Sequence, residues 1–141
     1  MFDKNYDQRL VAWSHFRKSL EKSKDPIRDT LDFYNKAPTV SIHTDPYDQT
    51  TWPTPWELLQ ENMYCDFCRV LGMCYSLQLT ERFSTTNFEI HITIDSKNSA
   101  TLYLLHVGDI TIGHHDGEPI YAKNLPQHYD TKKIYSMDHL Q

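Results

Sequence analysis

At Gly72 the hydrophobic pattern of the chain changes period, from the three-and-four spacing of a helix to strict alternation. Helical spacing buries one stripe of a cylinder and alternation buries one face of a sheet. A chain that runs through both in succession, with short turns between the alternating runs, is an α+β protein.

The helix before that change has the sharpest start signal in the sequence, Thr54-Pro55-Trp56-Glu57. Threonine can cap the first N–H groups, and proline fits the first helical position because its missing N–H has no partner there. The acid three residues after the threonine can return a hydrogen bond to the cap. With glycine as terminator, the spacing predicts one central helix over 54–72. Trp56, Leu59, Met63, Phe67 and Val70 form its core stripe, and Leu58, Cys65 and Cys68 lie on a second, covered flank.

The alternating segment predicts an antiparallel meander over 74–114. Tyr75, Leu77 and Leu79 alternate with polar residues, as do Ile90, Ile92 and Ile94. Runs from Thr101 to Val107 and from Ile110 to His114 follow, with turns at Ser96–Ser99 and Gly108-Asp109. Short connections make consecutive strands neighbours, with one face buried and the other wet. The extension over 115–141 offers short edge pieces at Ile120-Tyr121 and Ile134-Tyr135.

Two helices precede this core, over 1–36. Leu10, Trp13, Phe16 and Leu20 make one amphipathic stripe. Asp25-Pro26 starts a second helix with an acidic cap and proline at its first position, and Ile27, Leu31 and Tyr34 face inward. Packed with the central helix on a sheet of four or five strands, they complete a single α+β domain over residues 1–141.

A hydrophobic fraction of 39% and an aromatic fraction of 13% suffice for a real core. The net charge of −5, with scattered basic residues, argues against a nucleic-acid partner. No apolar run is long enough to cross a membrane, and the first residues hold no apolar signal region. Cys65, Cys68 and Cys74 are odd in number and closely spaced, which points to a reducing compartment rather than a disulfide framework.

Cys65-Asp66-Phe67-Cys68 has the spacing of a metal-binding or redox pair, and His114 and His115 could complete four zinc ligands. Zinc pairs usually sit in turns, however, and no βαβ pattern precedes this one. The helix followed by a meander resembles the core of papain-like and transglutaminase-like proteins over residues 54–113. That resemblance implies a cysteine-dependent hydrolase or transferase using Cys65, His91 and Asp109. A nucleophilic cysteine needs a lowered pKa, commonly from a helix N-terminus. A helix starting at Thr54 leaves Cys65 in mid-helix, beyond the dipole's reach, and His91 shares the polar strand face with Glu89 and Thr93. The thiols therefore read as packing residues and the protein as non-enzymatic, without cofactor or metal.

Trp52-Pro53-Thr54-Pro55-Trp56 is the remaining unusual segment. Trp52, Pro53 and Trp56 are a candidate partner-binding surface, the alternative being a rigid packed approach to the helix. From Asp45-Pro46 to Tyr64-Cys65, with the meander after it, the chain is similar to small uncharacterised proteins of large tailed bacteriophages of marine cyanobacteria. That resemblance implies a viral protein of the host cytoplasm or the virion. The expected function is protein interaction or virion association, with a viral or host protein, or a second copy, as partner.

Overall fold

The computed structural model describes residues 1–41, 44–113 and 117–139. These form four α-helices and one five-stranded antiparallel sheet, an α+β architecture. The chain divides into two compact units, Met1–Ser84 and Thr85–Gln141, the first helical and the second built on the sheet.

In the helical unit, α1 (Tyr6–Lys22) and α2 (Pro26–Tyr34) stand where the sequence places them. Asn5 and Gln8 close a capping box on α1, and the Asp25 side chain accepts from the Arg28 N–H at the start of α2. The two helices meet through the stacked rings of Phe16 and Phe33, centroids 3.8 Å apart. The Thr54 box is also present: the Thr54 hydroxyl accepts from the Glu57 N–H at 3.2 Å, and the Glu57 carboxylate accepts from the Thr54 N–H at 3.1 Å.

The expected single helix over 54–72 is two helices. α3 (Pro55–Glu61) stops at Asn62, which takes the left-handed conformation at φ 53°. The buried Arg9 guanidinium of α1 holds the break, donating to the carbonyls of Leu59 at 2.7 Å and Gln60 at 3.1 Å, and also to that of Lys4. The first two are end-of-helix carbonyls that would otherwise lack a donor. Asn62 donates to the Phe2 carbonyl at 2.8 Å. Tyr64 pairs as extended chain with residues 38–40, through Tyr64 N–H to Pro38 C=O at 3.1 Å and Val40 N–H to Tyr64 C=O at 3.2 Å. α4 (Asp66–Gln78) then begins afresh, with Cys65 as its N-cap.

This break corrects three further expectations. Residues 75–78 are helix rather than the first strand. α4 is buried on nearly every side, from Phe67 to Gln78 with Arg69 the less buried member, so apolar and small residues occur all round it and local alternation loses its meaning. Gly72 lies inside α4, where its missing side chain admits the Tyr34 ring. Trp56 and Met63 leave the expected core stripe; they are 51% and 37% exposed, and Leu58 and Leu59 carry the burial of α3.

In the sheet unit, β1 (Phe88–Asp95), β2 (Ala100–Val107), β3 (Ile110–Ile112) and β4 (Ile120–Tyr121) form successive antiparallel pairs. β5 (Tyr129–Met137) crosses back to pair with β1, giving the order β4-β3-β2-β1-β5. The C-terminal extension therefore supplies a full strand beside β1, and both edge pieces read from the sequence fall within strands. A register shift between Ile92 and Thr93 passes over Lys132 of β5 as a bulge. Gly108 turns β2 into β3 at φ 62°.

Alternation places Phe88, Ile90, Ile92, Leu105, Val107, Ile112 and Tyr135 on one face, all buried. The other face is not the uniformly wet one expected, because Thr93, Leu104, His106 and Thr111 are buried there too.

Candidate functional site

Because α4 starts at Asp66, Cys65 caps a helix rather than sitting eleven residues inside one. The thirteen residues of α4 place the positive end of their dipole at this thiol, so the mid-helix argument against its activation does not hold. Cys68, three residues on, is fully buried; its sulfur is in hydrogen-bond contact with Cys65 and lies 3.2 Å from the Thr44 hydroxyl. The hydrogen bond with Cys65, reinforced by burial, pushes the Cys68 thiol well up, and Thr44 offsets this in part. Burial alone pushes Cys74 up. Three phenols of the same unit, Tyr34, Tyr64 and Tyr75, are raised by burial as well. Charge is costly throughout this core, and Cys65 stands at the start of α4, where the helix dipole is positive.

The Trp-Pro segment separates into fixed and free parts. The Trp52 indole N–H donates to the Asp45 carbonyl at 3.2 Å, and its ring lies on Phe67 with centroids 4.9 Å apart. Pro53 is buried, and its carbonyl accepts from the Tyr75 hydroxyl at 2.8 Å. These two residues serve chiefly as the packed approach to α3. Trp56 differs: half its surface is in solvent, yet its ring stands edge-on to Trp13 at 5.5 Å. Trp13 is itself buried and immobilised, with its N–H donating to Ser76 at 2.9 Å and the Arg17 guanidinium 4.4 Å from its ring centroid.

His91 and Asp109, the other residues of the hydrolase reading, belong to the sheet unit. A His91 ring nitrogen lies 2.8 Å from the Glu89 carboxylate, on the strand face expected for it, and the ring stacks on His106 at 3.8 Å. Asp109 sits exposed in the β2–β3 turn, its carbonyl accepting from the Ala122 N–H at 2.9 Å. The carboxylate oriented on His91 is thus that of Glu89. Burial, then the neighbouring His91, lowers His106 to about 4, while Glu89 opposes the shift. One nitrogen of His106 lies 3.1 Å from the Thr111 hydroxyl, and the other is buried with no hydrogen-bond partner among the described residues.

Of the remote zinc ligands, Cys65 and Cys68 are adjacent and buried, while His114 and His115 lie outside the described residues. Among the described residues no group of three histidine, cysteine or acidic side chains is placed to hold a metal ion. No helix among them is long and apolar enough to cross a membrane.

Sequence reasoning missed the roles of Arg9 and Thr44, the pairing of Trp13 with Trp56, and the contacts of His91 with Glu89 and His106. Glu89 was within reach, being two residues from His91 on one strand face. The others act between separate elements of the chain and leave no local pattern. No protein-family model matches this chain, and no curated protein matches it.

Proposed function

We propose that this chain is a non-enzymatic protein-interaction module, and that Trp56 is the centre of its contact surface. The observation that supports this is the pairing of Trp56 with Trp13: a large side chain left 51% exposed while one edge is fixed against a buried ring. An indole held in place loses little rotamer freedom on binding, and such residues dominate interface energies. The occupant is another protein presenting an apolar pocket for one indole. The likeness of the middle of the chain to proteins of tailed phages supports a phage or host protein as that partner, met in the host cytoplasm or in the virion. A second copy of this chain would be seen as concentration-dependent self-association.

The cysteine hydrolase reading, with Cys65, His91 and Asp109, has less behind it. The acid beside His91 is Glu89, and Asp109 is engaged through its backbone at an exposed turn.

The test compares Trp56→Ala with Tyr47→Ala, a change at another exposed aromatic. Both variants should fold, and capture of a partner from phage-infected cells, read by quantitative mass spectrometry, should fall only for Trp56→Ala. Equal capture by wild type and Trp56→Ala overturns the proposal.

A further inference from the structure

Cys65 and Cys68 stand in an arrangement that the interaction reading does not use. Cys65 is the N-cap of α4 and Cys68 its third residue. The N-cap and the third residue flank the same first turn of the helix, and here the two thiols are in hydrogen-bond contact. Helical geometry separates α-carbons three residues apart by about 5 Å, inside the span of roughly 4.4–6.8 Å that a disulfide bridges. Both cysteines are reduced in this structure. Cys74, buried deeper in the same helix and without a cysteine neighbour in its first turn, provides an internal control.

We propose that Cys65 and Cys68 are a peroxide-oxidisable dithiol, with Cys65 the attacking thiolate and Cys68 the resolving thiol. The Cys65 sulfur attacks one oxygen of a hydroperoxide. The O–O bond breaks, Cys65 becomes a sulfenic acid, and the departing oxygen takes up a proton as water or alcohol. The Cys68 sulfur then displaces the sulfenic oxygen, which leaves as water carrying the Cys68 proton. Two thiols and one hydroperoxide give one disulfide and two hydroxylic products, with two electrons passed to the peroxide. Reduction by an external dithiol restores the starting state.

Two features match the roles. Cys65 lies at the positive end of α4, which favours thiolate. Its exposure of 4% suits a co-reactant hardly larger than water better than a protein disulfide. Cys68, fully buried and held protonated, keeps a hydrogen for the neighbouring sulfur and is shielded from oxidation on its own.

The experiment treats the full-length native protein with stoichiometric hydrogen peroxide, followed by peptide mapping and dimedone trapping. Wild type should yield a Cys65–Cys68 disulfide, reversed by dithiothreitol, with Cys74 still a thiol. Cys68→Ser should accumulate dimedone-reactive sulfenic acid on Cys65, about tenfold faster than any label appears on Cys74. Cys65→Ser should leave Cys68 unoxidised. The wild-type mapping stands by itself should either variant fail to fold. Oxidation that reaches all three cysteines alike, or that appears only when the protein is unfolded in urea, overturns the proposal.

Discussion

The Tyr34 ring occupies the space in which a side chain at position 72 would begin: a Cβ on Gly72 would lie 2.5 Å from Tyr34 Cε1 and 2.9 Å from Cζ. α2 and α4 therefore touch at a point that only glycine allows. Gly72→Ala, which raises helix propensity by about 1 kcal/mol at an exposed site, should here lower stability by about 1–3 kcal/mol through overpacking. Urea denaturation measures it. An unchanged or raised midpoint would mean that the ring moves aside freely.

Ser76 joins three elements. It donates to the Gly72 carbonyl at 2.8 Å, accepts from the Trp13 indole at 2.9 Å, and lies 2.8 Å from the Tyr34 hydroxyl. With its one proton on Gly72, both remaining contacts are accepted bonds and its capacity is full. Ser76→Ala should leave two buried donors without an acceptor and cost about 2–6 kcal/mol, from about 1–3 kcal/mol for each stranded group. Ser76→Cys should recover part of that loss in the same denaturation assay.

Arg9 sets the end of α3. Arg9→Met retains much of the buried stem and removes the donors to Leu59 and Gln60. A loss of at least about 3 kcal/mol is expected, at about 1.5–3 kcal/mol for each hydrogen bond from a charged group. Hydrogen exchange should quicken first around Asn62 and Tyr64. Uniform exchange across the helical unit would show that the break is held by other contacts.

Burial, offset in part by Ser76 and Trp13, holds the Tyr34 phenol at about 12 against an ordinary 10.0. The folded state thus keeps a proton that the unfolded chain gives up between those values. The contribution is complete below about 10 and is lost as pH rises toward about 12. Stability measured by urea midpoint should fall across that window, and less steeply in Tyr34→Phe.

His106 acts in the opposite sense. Its folded value of about 4 lies below the ordinary 6.5, so between them the unfolded chain binds a proton that the folded state refuses. Stability is full above 6.5 and declines as pH falls toward about 4. His106→Gln should flatten that acid limb. An identical slope in the variant would place the proton uptake elsewhere.

The N-terminal helices, the Thr54 capping box and the β1 to β3 hairpins were legible because each is written in residues a few positions apart. The break at Asn62 was not, since the hydrogen-bond partners that make it favourable come from Phe2, Arg9 and residues 38–40. Missing it carried Trp56 into the core and Cys65 into mid-helix. The strand reading of residues 75–79 failed for a related reason: a helix buried all round has no polar stripe to reveal its period. For the candidate contact residues, the sequence pointed to the Trp-Pro segment but could not separate Trp52 and Pro53, which are tied down, from Trp56.

The start of α4 depends on the break before it, which is held by Arg9 and Phe2 through hydrogen bonds spanning up to 60 positions of the chain. A free peptide covering residues 54–72 lacks them all, and its capping box would propagate a single helix through Cys65. The chemistry of that sulfur is thus a property of tertiary structure, absent from the nascent segment and acquired only when α1 docks. A thiol probe at Cys65 would report the folding of the helical unit in real time.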